Sequence, residues 1–471
     1  MLFNSLEFLV FFPLVCIIYF LIRNLHSRNL FLLVASYYFY MCWKPEYALL
    51  LFSSTAITYL ASLCIAGGTH HKRLYLILSL VLNLGILFFF KYYQFAGENI
   101  TALLGHFGIL IHVPEFHFLL PVGISFYIFQ ALGYSIDVYR GDVAVEKNFF
   151  TYALFVSFFP QLVAGPIERS TNLLQQFKEK KCFDGNRAIE GITLMLWGYF
   201  LKLVLADNMA LYVDGVFNHL DTSSSPACLA ASVFFCFQLY GDFAGYSLIA
   251  IGCAKVMGFN LMENFRRPYF FSSSVQEFWK RNHISLTTWF MDYIYYPMVG
   301  SSINLFWWCF CIFVTFVLSG FWHGAAWTYV VSFALFGLYL VVCLLKDKSQ
   351  RKFEKKHNLK NKSWWIWANR AATFFLVMLA LVFFRANSIA DGWHVIKQIF
   401  TSPGLSQIRT NPFLLFIILL TFVVEYAQEY KKIKYTEDHH LAIHGVYSFT
   451  LVILIIALGY FEGGQFIYFQ F

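Results

Sequence analysis

The hydrophobic positions of this chain fall in long unbroken runs, not in the two-residue alternation of a half-buried strand or the narrow stripe of a soluble helix. Twelve runs have membrane-spanning character: 6–22, 29–43, 46–66, 74–94, 148–165, 188–206, 226–251, 303–321, 326–345, 367–384, 412–427 and 445–461. A full crossing takes roughly 20 apolar residues, and several runs are shorter, so tilted or broken helices are expected among them. The pattern predicts an all-α, polytopic integral membrane protein of about 11–13 transmembrane helices, forming one intramembrane body over 1–471.

The polar positions between the runs orient them, because cytoplasmic loops carry an excess of Lys and Arg. Arg23 and Arg28 place the first loop in the cytoplasm and the N-terminus outside, and Lys72 and Arg73 agree. The strongest marker is 346–362, where Lys346, Lys348, Arg351, Lys352, Lys355, Lys356, Lys360 and Lys362 face only Asp347 and Glu354; Lys178, Lys180, Lys181 and Arg187 ask the same of 166–187. The segment 428–440 also falls on the cytoplasmic side, with the C-terminus outside. The stretch 207–225 holds Asp207, Asp214 and Asp221 without Lys or Arg and reads as an external loop. Residues 117–140 spoil the alternation. They read as re-entrant, broken near Pro121 and Gly123, which is tolerated where backbone is packed inside protein or lines a cavity; the alternative is that another span is misassigned.

Composition agrees with this picture. Only 13% of the 471 residues are charged and 59% are hydrophobic, against roughly 25% charged in soluble domains. The net charge of +8 sits in a few loops, which favours membrane orientation over nucleic-acid binding. The first run has no basic region before it and no small-residue cleavage site after it, so it reads as a retained span. The ten cysteines lie mostly in apolar runs without a CxxC pair, indicating neither a disulfide framework nor a metal site. No P-loop, GxGxxG, HExxH or GxSxG occurs, which argues against nucleotide hydrolysis, zinc proteolysis and a serine-elbow hydrolase.

Against so apolar a background, titratable groups stand out. His323 lies in Ser319-Gly320-Phe321-Trp322-His323-Gly324, between the runs 303–321 and 326–345. An ionisable residue at membrane depth is a functional-site hypothesis by default; the plainer reading is a short outer loop or a hydrogen bond to a neighbouring helix. His283 lies 40 residues earlier, after Glu277-Phe278-Trp279-Lys280-Arg281, in an amphipathic stretch, 255–300, that reads as dipping inward from the cytoplasmic interface. Two histidines approached from opposite faces suit acyl transfer through a membrane, since a neutral imidazole takes the proton of an attacking hydroxyl. The two rings should then lie within roughly 15 Å of each other on a shared pore, given that general-base reach is about 3 Å. Asp242 sits in an apolar run between Gly241 and Gly245, a small-xxx-small face for close helix packing. It either accepts structural hydrogen bonds or orients a histidine. Arg266, Arg267, Lys280 and Arg281 either hold phosphates of a nucleotide-like donor or anchor the chain on anionic lipid.

These segments resemble the membrane-bound O-acyltransferase family, in the bacterial branch that includes alginate O-acetylation and teichoic-acid D-alanyl transfer proteins. The likeness is densest over 237–327, through Glu263-Asn264-Phe265-Arg266-Arg267-Pro268-Tyr269, Glu277-Phe278-Trp279-Lys280-Arg281, His283-Ile284-Ser285-Leu286 and the Trp322-His323-Gly324 motif, with a similar ending at Phe466–Phe471. Asn282, Leu248 and Phe336 depart from it, standing where Trp, Asp and His are common. The resemblance implies a helical body around a central tunnel, with His323 and His283 as catalytic residues and Asp242, Trp322 and Trp279 in support. It further implies an acyl thioester donor such as acetyl-CoA on the cytoplasmic side, no bound metal, and an inner-membrane location. The acyl group, acetyl first among the candidates, would pass to an exported polysaccharide or to an extracytoplasmic acetyltransferase partner, with no role for nucleic acid. The rivals are D-alanyl transfer from a carrier protein to a teichoic-acid-like acceptor and, in another class, a flippase for lipid-linked sugars.

Overall fold

The computed structural model describes residues 1–68, 70–114, 120–267, 269–401, 411–430, 441–462 and 466. Every regular element among them is helical. Eight helices are long and apolar enough to cross a membrane, and Leu6–Leu21 and His444–Leu458 are shorter apolar helices. The chain is thus an all-helical, polytopic membrane protein, and its contacts group it into two units. The first comprises Met1–Met195 with Leu248–Met262, and the second Leu196–Ser247 with Glu263–Phe471.

In the first unit, apolar residues such as Phe8, Phe39 and Phe155 are buried, and one helix also turns a row of small hydroxyls inward. The Tyr47–Ala66 helix buries Ser54, Thr55, Thr58 and Ser62 and exposes Leu49, Phe52 and Leu60. Small hydroxyl side chains let helices approach closely where lipid removes any hydrophobic drive, and they find partners: Ser54 donates to Asn83 Oδ1, and Tyr152 donates to Thr58 Oγ1 at 2.7 Å. The break expected near Pro121 and Gly123 is present. Gly123 is left-handed, φ +72°, and a Cβ there would lie 2.5 Å from the Leu162 carbonyl oxygen, so the helix Ile124–Arg140 starts immediately after it. Residues 117–119, the start of the supposed re-entrant segment, lie outside the described residues. The span expected over 148–165 is instead two short helices, Phe149–Ser157 and Phe159–Leu162. Phe158 takes ψ 112° between them and Pro160 cannot donate into a continuing helix. Arg28 is not a loop marker but is buried in a helix, donating to the carbonyls of Ile22 and Lys181. It thereby joins the two basic segments that sequence assigns to one face.

The second unit holds the candidate chemistry. The Gly241/Gly245 face packs as expected: a Cβ on Gly241 would lie 2.8 Å from the Leu201 carbonyl oxygen and one on Gly245 2.7 Å from that of Gly198. The supposed external loop 207–225 is largely helical, because the helix continues through a π-helical stretch, Phe200–Ala206, into Asp207–Phe217. The basic run 346–362 is likewise no loop up to Lys356; it is the end of the Trp327–Lys356 helix. Arg351–Asp347 (2.8 Å) and Gln350–Glu354 (3.1 Å) pairs one turn apart support it there. Most of 428–440 lies outside the described residues, as does the C-terminal motif apart from Phe466, whose ring lies 4.4 Å from that of Tyr246.

Candidate active site

His323 is the last residue of the Leu305–His323 helix, which turns through Gly324-Ala325-Ala326 into the Trp327–Lys356 helix. The turn demands small residues. A Cβ on Gly320 would lie 2.8 Å from the Tyr329 carbonyl oxygen, and one on Gly324 would fall inside the Tyr329 ring. This close approach presses His323 against the following helix, where its ring stacks on Phe333 at 4.5 Å. Trp322 at 4.9 Å and Phe384 at 5.6 Å complete an aromatic wall, and the imidazole is 3% exposed.

His283 lies between two seven-residue helices, Val275–Arg281 and Ile284–Phe290, with left-handed backbone at φ 45°. That conformation is uncommon in non-glycine residues, His being one of the few types enriched in it. Its ring meets Phe243 edge-on at 4.5 Å, and Nδ1 lies 3.3 Å from Asn264 Oδ1. At 2% exposure, burial drives the imidazole well below its ordinary value and holds it neutral. The centroids of the His283 and His323 rings are 6.0 Å apart, and Trp322 borders both. Residues 40 positions apart in sequence thus form one buried pair, well inside the separation that sequence allowed.

The remaining candidates divide. Trp279 is buried against Phe316, Phe333 and Phe336 at 5.0–5.5 Å. Phe336, the departure at a position where His is common, is thus part of that wall. Asp242 is 2.6 Å from Lys202, which also pairs with Asp207 at 2.7 Å; all three are nearly fully buried. Lys202 and Asp207 are missing from the sequence reading. A lone lysine in Phe-Leu-Lys-Leu-Val is outvoted by its neighbours in a hydropathy window, and Asp207 is drawn into a supposed loop. Only the structure shows that Lys202 packs against the Gly241/Gly245 face. The arginines are occupied: Arg266 pairs with Glu263 at 2.6 Å, Arg267 with Glu429 at 3.1 Å, and Arg281 with Glu277 and Glu429 at 3.0 and 2.9 Å. Glu429 is a further residue that sequence reasoning missed. Lys280 is exposed, and among the described residues no carboxylate pairs with it. No cluster of metal-ligand type occurs among the described residues.

An all-helical membrane body with a buried histidine pair at a glycine-lined turn defines a class, and the matching family model covers residues 143–390: the chain belongs to the membrane-bound O-acyltransferase family. It is an acyl-transferring enzyme. Among curated proteins it is 35% identical to a probable alginate O-acetylase AlgI of Azotobacter vinelandii, over 90% of this chain and 84% of that one. It is 32% identical to a peptidoglycan O-acetyltransferase of Helicobacter pylori, over 86% and 81%. A teichoic acid D-alanyltransferase of Streptococcus thermophilus is more distant, at 29% over 59% and 70%.

Proposed function

We propose that this enzyme moves an acetyl group from a cytoplasmic thioester, acetyl-CoA or a relative, to hydroxyls of an exported polysaccharide, directly or through an extracytoplasmic acetyltransferase. The observation that carries the reading is the buried His283–His323 pair, 6.0 Å apart within aromatic walls; the similarity to two O-acetylating relatives supports the acetyl group and the cell-wall or polysaccharide acceptor. In this reading His323 is the general base. The acceptor oxygen attacks the thioester carbonyl as its proton passes to His323, the C–S bond breaks, and the departing thiolate takes that proton back. His283, beside it, positions the donor or carries the proton onward. A tunnel from the cytoplasmic face would bring the donor to the pair, with Lys280 the basic side chain free to meet its phosphates. The protein would lie in the inner membrane with its N-terminus outside.

Mass spectrometry of surface polysaccharide tests this. A strain lacking the chain should lose O-acetyl groups, and wild-type protein should restore them while His323→Ala does not. Unchanged O-acetylation in the deletion strain would overturn the assignment.

A further inference from the structure

The left-handed backbone of His283 leaves a helix without its usual cap. His283 occupies the N-cap position of Ile284–Phe290, yet its side chain makes no capping hydrogen bond there. An N-cap side chain ordinarily satisfies one of the orphan N–H groups of the first turn. Here Asn264, 19 residues upstream, takes over that task. Its backbone carbonyl accepts from Ile284 N–H at 2.9 Å, and its side-chain oxygen accepts from Ser285 N–H at 3.1 Å and Ser285 Oγ at 2.9 Å. Its amide nitrogen donates to Ser247 Oγ at 3.1 Å, and the residue is completely buried.

These bonds fix more than a helix end. A backbone N–H can only donate, so the amide atom facing Ser285 N must be the oxygen, which settles an orientation that an Asn side chain otherwise leaves ambiguous. That same oxygen is 3.3 Å from His283 Nδ1. Two acceptors do not share a contact of this kind, so Nδ1 carries the hydrogen and Nε2 carries the lone pair. With the cap supplied from elsewhere, the His283 side chain is committed to the pair with His323 instead of to its own helix.

We propose that Asn264 is a positioning residue for the transfer reaction: it holds His283 in the Nδ1–H tautomer and makes Nε2 the nitrogen that acts. The proposal rests on the reading that His283 takes part in acyl transfer. The alternative, that Asn264 only caps a short helix, predicts no effect on the histidine.

The test uses the full chain in vesicles. Nitrogen NMR of histidine-labelled protein, with the His283 signals found by difference from His283→Ala, should show Nδ1 protonated in the wild type; a protonated Nε2 with bare Nδ1 overturns the proposal. Asn264→Asp keeps an acceptor at the cap and places an anion on Nδ1–H. It should retain most acetyl-CoA-dependent transfer while the acidic limb of its pH profile moves upward, because a neighbouring carboxylate favours imidazolium. Asn264→Ala should lose about ten- to a hundredfold in turnover, by analogy with the loss when the partner of a metal-bound histidine's second nitrogen is removed. An unshifted limb in Asn264→Asp, or full transfer by a normally melting Asn264→Ala, also overturns it. If Asn264→Ala does not fold, the Asp variant and the wild-type spectrum decide. Should His283→Ala itself transfer normally, the parent reading fails while the tautomer assignment stands.

Discussion

Two buried polar groups in the same unit invite comparison, the Lys202–Asp207–Asp242 cluster and the His283–His323 pair. Both are almost fully removed from solvent, and both depend on glycines that let backbones approach within contact distance. Their chemistry differs. In the cluster, one cation lies 2.6 and 2.7 Å from two carboxylates and offsets part of their charge, so each group serves mainly to keep the others tolerable in a low-dielectric interior. In the pair, two imidazoles are walled by aromatic rings, and His283 is held by an amide. A titratable ring with neutral neighbours is not locked into an ion pair, as the proposed role in proton transfer requires. On the proposed function, polar groups at membrane depth divide into those that hold the fold and those that act, and their partners differ accordingly.

The largest expected effect breaks the comparison on the side of activity. His323→Ala should lower acyl transfer by about 10²–10⁴-fold while the protein stays folded and inserted. Retention of more than about a tenth of wild-type transfer, normalised to inserted protein, is less than the smallest loss expected of a general base and would remove His323 from that role.

Next comes the side of stability. Lys202→Ala leaves the buried Asp207 and Asp242 without their shared cation, and breaking a buried pair costs about 3–5 kcal/mol. The variant should melt earlier and accumulate poorly. The combined variant Lys202→Met, Asp207→Asn, Asp242→Asn removes every charge and should recover much of that loss, since apolar or neutral replacement of a whole buried cluster is often harmless. If the combined variant is worse than Lys202→Ala and inactive while folded, the cluster belongs with the acting groups.

These contrasts also explain what the sequence allowed to be read. His323, His283 and the Gly241/Gly245 face are legible because each is a local departure from an apolar run, and the hydropathy of a run alone reveals most long helices. The Lys202 cluster is not legible, because its three members come from two helices and only their packing brings them together. Asn264 is silent for a related reason. In sequence it is a polar residue in a loop, and its task as a cap appears only when the left-handed turn at His283 is known. Helix ends fared worst where apolar character and helix propensity part company. The apolar run 148–165 breaks at Phe158, whereas the polar run after Leu345 stays helical to Lys356.

A smaller effect concerns Glu168 in the first unit, which accepts from Met262 N–H and from Asn172 Nδ2 at 2.8 Å. Burial outweighs these bonds and pushes its carboxyl up from 4.5 to about 7. A carboxyl raised on folding contributes stability that is fully present below 4.5 and is lost as pH rises through about 7. The melting temperature should therefore fall over that window, and Glu168→Gln should flatten the fall. An identical pH dependence in wild type and variant would show that Glu168 does not titrate there.

The smallest effects separate the basic side chains near His283. Arg281 is held between Glu277 and Glu429, while Lys280 is exposed and unpaired among the described residues. An arginine already engaged by two carboxylates has less capacity to bind a donor phosphate than a free ammonium. Arg281→Gln should therefore cost at most about 1 kcal/mol of stability, the scale of a partly exposed ion pair, and should change the KM for acetyl-CoA little. Lys280→Gln should leave stability unchanged and raise that KM by several-fold, roughly the 0.2–1 kcal/mol of an exposed charge pair. The reverse order, with KM rising in Arg281→Gln and steady in Lys280→Gln, would mean that the Glu277–Arg281–Glu429 network opens to admit the donor. The charges near His283 would then act as a gate, and the division between holding and acting groups would be a matter of state and not of residue.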